Sequence, residues 1–78
     1  MIINGARPVY QDGEPLDSQW LLNVTTSDGR RLEGVLVRDP GGSDFADLEG
    51  DPIDLDDADW EALATASIPD GEPWEWPS

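Results

Sequence analysis

Nine carboxylates fall within eighteen residues: Asp44, Asp47, Glu49, Asp51, Asp54, Asp56, Asp57, Asp59 and Glu61. In an extended segment, carboxylates two residues apart are separated by about 6.6 to 6.8 Å, on the order of the spacing between successive phosphates of a nucleic-acid strand. A groove lined with Lys and Arg accepts such a row through charge-assisted hydrogen bonds and counterion release, as it accepts its polyanion. The plainer reading is a solvated acidic face in which Asp56, Asp57 and Asp59 cap and charge a helix N-terminus. Calcium is a third reading. Placing Gly50 at the sixth position of an EF-hand loop puts Asp47 and Glu49 at ligand positions, but Phe45 then occupies the first position and Asp56 the last. The pattern fails at its first ligand, so neither a metal nor a cofactor is expected.

The other side-chain chemistry is narrow. The chain contains no Cys and no His, which removes thiolate nucleophiles, disulfides, the commonest general base and the commonest metal ligand. Ser18, Ser27, Ser43 and Ser67 have no base to activate them, and a chain of 78 residues rarely builds a deep cleft. No catalytic residue is assigned, and the expectation is a protein that is not an enzyme. Trp74 and Trp76 alternate with acids in the tail. They suit either an interface anchor or a lid folded back over a small core, the second being the preferred expectation.

The charge is asymmetric along the chain. Residues 39–78 hold thirteen acids and no Lys or Arg, a net −13; residues 1–38 hold five acids against Arg7, Arg30, Arg31 and Arg38, a net −1; together these give −14. Self-repulsion of this size costs compact-state stability, and an even, proteome-wide acidity would coat both halves. Such a field repels nucleic acid and anionic membrane and steers in basic protein surfaces. No apolar run reaches membrane-span length, and Met1 to Gly5 lack the features of a signal peptide. The expectation is therefore a cytoplasmic protein, monomeric or weakly dimeric, with a Lys/Arg-rich protein partner.

These residues need elements to carry them. One small domain spans residues 1–78, with a near-neutral β part to residue 38 and an acidic part after it. Gln19–Thr26 and Arg31–Arg38 flank Ser27-Asp28-Gly29-Arg30, and Asp28-Gly29 predicts a two-residue type I′ hairpin. That register pairs Thr26 with Arg31, Leu22 with Val35 and Trp20 with Val37, and it sets Trp20, Leu22, Val24, Val35 and Val37 on one face. Pro8-Val9-Tyr10 is a candidate short third strand, and Asp12-Gly13-Glu14-Pro15 a turn. A helix is predicted over 57–67, with Asp56 as N-cap, Leu55 stapled to Trp60, and Trp60, Leu63, Ala64 and Ser67 as its buried stripe. The expected class is α+β: an antiparallel β-hairpin or three-stranded sheet packed against one α-helix.

In its size, its lack of Cys and His, its single small α/β unit and the acid row from Asp44 to Glu61, the chain resembles the small acidic inhibitors of phages and mobile elements, including DNA mimics and anti-CRISPR proteins. The arginine-bearing stretch Arg31 to Arg38 departs from an all-over acidic mimic. The resemblance implies stoichiometric, non-catalytic binding to a CRISPR effector at the surface that accepts target DNA. The alternative is a small acidic structural or accessory module that docks through its hairpin edge or its Trp tail.

Overall fold

The computed structural model describes residues 1–77. The elements in chain order are β1 (Ile2–Gln11), β2 (Glu14–Thr25), β3 (Arg31–Asp39), β4 (Gly42–Ala46), α1 (Asp57–Thr65) and β5 (Trp74–Glu75). The strands form a single sheet in the order β4-β3-β2-β1-β5. Its first four strands are an antiparallel meander, and β5 lies parallel to β1. A small mixed sheet of five strands with one short helix thus replaces the expected two or three strands. The difference arises at β4, which pairs with β3, and at β5, which the tail supplies, while the candidate strand Pro8-Val9-Tyr10 is the end of a longer β1.

The Asp-Gly pairs between β1 and β2 and between β2 and β3 make different turns. At Asp12-Gly13, Gln11 pairs directly with Glu14, and φ is 53° at Asp12 and 80° at Gly13, which is the type I′ geometry that suits strand twist. At Asp28-Gly29 the expected two-residue loop does not form. The Thr26 N–H donates to Arg30 O at 2.8 Å and the Gly29 N–H to Thr26 O at 3.0 Å, with φ 88° at Gly29. This is a three-residue loop, Ser27 to Gly29, ending in a left-handed glycine. Side chains favour the wider loop: the Thr26 hydroxyl donates to Asp28 and accepts from the Arg30 N–H at 3.0 Å.

The wider loop shifts the pairing by one residue. Thr25 now faces Arg31, Val24 faces Leu32, Leu22 faces Gly34 and Trp20 faces Leu36. A one-residue slip exchanges the two faces of a strand. Leu32 and Leu36 therefore join Trp20, Leu22 and Val24, while Val35 and Val37 cross to the side of Leu21, against the expected grouping. The result is two apolar clusters, one on each face. The larger has Ala6, Leu22, Val24, Leu36, Phe45 and Leu63 at its centre and is closed by α1 and the segment before it; the smaller has Val9, Leu21 and Val35 and is closed by Leu16, Trp74 and Trp76.

The helix starts where expected. Asp56 has extended dihedrals, and its side chain accepts from the Asp59 N–H at 2.9 Å. It stops at Thr65, two residues early, because Ala66 has already turned extended and Arg38 donates to the carbonyls of Leu63 and Ala66. Its buried side is also rotated from the expected one. Asp59 and Leu63 are buried and Trp60, Ala62 and Ala66 half-buried, whereas Ala64 and Ser67 face solvent.

An interruption in the β1–β2 pairing leads Leu16 into the smaller cluster. Pro8 pairs with Trp20 and Tyr10 with Pro15, so Leu16 to Gln19 bulge out opposite Val9. Ser18 in this bulge has φ 59°, a left-handed conformation that is unfavourable for a side chain with a Cβ. Ser18→Gly is expected to raise unfolding free energy by about 0.5–1 kcal/mol, and Ser18→Val to lower it by at least about 1 kcal/mol. Urea unfolding midpoints check both; equal midpoints for the three chains would contradict the assignment.

Candidate binding surface

The acid row does not form one extended ladder. Asp44 is exposed on β4, the edge strand, opposite Val37. Asp47, half-buried, opens a tight turn in which its Oδ1 accepts from the N–H groups of Glu49 at 2.9 Å and Asp51 at 3.0 Å. The Gly50 N–H closes the turn on Asp47 O at 3.0 Å. Carboxylate oxygens of Asp47, Glu49 and Asp51 lie within 4.8 Å of one another. The chain then crosses back over the edge of β4, with the Asp47 N–H on Asp51 O at 2.9 Å and the Ile53 N–H on Phe45 O at 3.0 Å. This is a β-turn and a short return segment, with none of the length of a twelve-residue calcium loop.

Asp54, Asp56, Asp57 and Glu61 are exposed around the start of α1. Asp57 and Glu61 stand one helical turn apart on the same face, separated by a rise of about 6 Å. The pairing of like charges at this spacing costs the helix a few tenths of a kcal/mol, and α1 has no basic residue in its last turn.

Asp59 is withdrawn from this surface, contrary to its expected place in the acid row. It is 2% exposed. Its carboxylate accepts from the Ser27 N–H at 3.3 Å and the Ser27 hydroxyl at 3.1 Å, and it lies 3.6 Å from the Met1 nitrogen. The three-residue loop makes this possible by leaving the Ser27 N–H outside the strand ladder. The acid pattern gave no sign of it, because a carboxylate in the first turn of a helix reads as solvated.

Trp74 and Trp76 also stand apart from the acids. They are half-buried over the smaller cluster, with ring centroids 5.0 Å apart and planes tilted by 58°. This agrees with the folded-back expectation. The β2–β3 hairpin has no free edge, since β1 and β4 flank it.

The arginines are used in ways the sequence did not signal. Arg38 reaches the C-terminal end of α1, donating to Leu63 O and, at 2.7 Å, to Ala66 O, with its guanidinium carbon 5.5 Å from the centre of the Trp20 ring. Arg7 donates from Nε to Glu72 O at 3.1 Å and from a terminal nitrogen to Pro73 O at 2.9 Å. Both serve backbone carbonyls. Among the described residues, the side-chain ion pair is Arg30 with Asp28 at 3.0 Å, across the exposed β2–β3 loop. The Thr26 hydroxyl, and after it Arg30, hold the Asp28 carboxyl below the usual carboxylate range. A folded-state pKa depressed in this way contributes stability at neutral pH that is lost as pH falls through that depressed value. Among the described residues, no carboxylate from Asp44 to Asp57, nor Glu61, is in an ion pair.

The described residues form no pocket, and no helix among them is long and apolar enough to cross a membrane. No protein-family model, curated protein or solved structure matches the chain.

The distinction between buried and exposed acids is measurable. Asp59→Ala is expected to cost about 2–4 kcal/mol, because it strands the Ser27 donors and empties a buried site. Asp54→Asn, on the surface, should stay within about 0.5 kcal/mol of the parent. Chemical denaturation of the two variants separates them; a loss for Asp59→Ala as small as that expected for Asp54→Asn would show that Asp59 carries no structural load.

Proposed function

We propose that this chain is a non-catalytic inhibitor that binds a basic, nucleic-acid-accepting surface of a host defence complex by phosphate mimicry, with a CRISPR effector as the first candidate partner. One observation carries the reading. Asp44, Glu49, Asp51, Asp54, Asp57 and Glu61 are exposed and without ion pairs among the described residues, while Arg7 and Arg38 are committed to backbone carbonyls. Surface acids that served only solubility would gain from nearby cations; here the local field is left for an external cation to neutralise. The spacing argument moves from an extended row to the helix, where Asp57 and Glu61 are about 6 Å apart along the axis, again on the order of the phosphate repeat. Asp59 leaves the contact set, and Asp56 serves first as the helix cap.

The accessory-module reading is weaker on specific grounds. The hairpin it would dock through is interior to the sheet, and Trp74 and Trp76 are already packed against this chain's own core.

The test uses the combined variant Asp51→Asn, Asp54→Asn, Asp57→Asn and Glu61→Gln, which spares Asp47, Asp56 and Asp59. Competition against target DNA for a purified multisubunit CRISPR interference complex is measured at low and high salt. The parent should displace DNA, with affinity falling steeply as salt rises, and the variant should lose about a hundredfold or more in affinity while staying folded. Equal displacement by parent and variant, or displacement indifferent to salt, would overturn phosphate mimicry.

A further inference from the structure

Ile68 anchors the chain after α1 to the larger cluster, and from Gly71 onward the backbone contacts of the tail follow β1 and the turn after it. Trp74 and Glu75 pair with Val9 and Tyr10, the Trp76 N–H donates to Tyr10 O at 2.9 Å, and the Glu75 carboxylate accepts from the Gly13 N–H at 3.1 Å. Its two indoles close the smaller cluster, which has no central residue in common with the larger cluster beneath α1. Two further contacts hold it to β1. The Arg7 guanidinium bonds the carbonyls of Glu72 and Pro73. Gly71 lies so close to the Ala6 carbonyl that a Cβ there would overlap its oxygen.

We propose that residues 71–77 form a strap that opens as a unit, latched by Arg7 and by the bare backbone of Gly71, while the four-stranded meander and α1 remain folded. A two-residue parallel ladder is among the weakest pairings a sheet offers. The hydrogen bonds from Arg7 and Gly13 lie on the exposed surface, where water competes for them. Units with few buried contacts and solvent-exposed hydrogen bonds open below the global unfolding free energy. Opening uncovers Val9, Leu21 and Val35, which keeps the open form a minor state. It also frees Trp74 and Trp76 together, so a partner that reads these indoles binds the open form alone and its apparent affinity is scaled by the open fraction.

Native-state hydrogen exchange read by mass spectrometry tests the strap on the intact chain. The amides of Trp74, Glu75 and Trp76 should exchange well before those of Leu21–Val24 and Val35–Val37, and by a route insensitive to low denaturant. Arg7→Ala and Gly71→Ala should each speed exchange of the tail by about tenfold or more, leaving β2 and β3 unchanged. Each variant should also make part of the tryptophan emission more open to collisional quenching. Tail amides that exchange together with β2 and β3 in the parent, or variants that speed both regions equally, would overturn the proposal. The parent measurement alone decides it if a variant fails to fold.

Discussion

Asp59 is the one acidic residue buried among the described residues, and the rest of the architecture is arranged around its carboxylate. A charged group in the core needs donors close at hand, or its desolvation would undo the packing around it. Ser27 supplies a backbone and a side-chain donor, and the Met1 nitrogen approaches from the start of β1. The Ser27 N–H is free for this because the β2–β3 loop has three residues. The same loop sets the β3 register, which decides that Leu32 and Leu36 face α1 while Val35 and Val37 face the tail. A contact between a loop and a helix is in this way tied to the choice of which apolar residues make each core.

The distribution of cations is the second organising feature. With a formal net charge of −14, opposite-charge pairing across the two halves would be the obvious way to relieve repulsion. The fold takes a different course. Arg38 covers the carbonyls at the C-terminal end of α1, where the helix dipole favours a positive charge, and stacks near Trp20. Arg7 secures the tail by its carbonyls. Both arginines join β strands to segments from the acidic half through backbone acceptors, and the exposed carboxylates around the β4 turn and the start of α1 have no ion pair among the described residues. Stability and surface charge are thus handled by different groups, so surface acids can be neutralised in number without touching the contacts that hold the chain together.

Several elements were legible from local chemistry. Asp56 as the helix cap, the apolar strands on either side of Asp28-Gly29 and the tail folding back over a core all follow from residue type and near-neighbour spacing. The misreadings share one cause. Asp-Gly joins both β1 to β2 and β2 to β3 and specifies a tight turn at Asp12-Gly13, but at Asp28-Gly29 the Thr26 hydroxyl and the demand of Asp59 for the Ser27 N–H select the wider loop. Local preference between the two loops is small, and contacts with residues about thirty positions away tip it. The inner face of α1 is hidden for a related reason: a carboxylate in a first turn reads as solvated, and Asp59 lies on the inner face because its donors are buried there.

Residue type and short-range order set the inventory and its polarity: one small α+β unit, one capped helix, no thiol or imidazole, and an acidic half that carries nearly all of the net charge. These follow from composition and from interactions within a few residues. Long-range contacts set the outer strands β4 and β5, the register of β3, the removal of Asp59 from the acidic surface and the commitment of Arg7 and Arg38 to carbonyls. Each of these depends on groups far apart in the chain competing for the same hydrogen-bonding partner or the same apolar face, and that competition is resolved only when the chain has closed on itself.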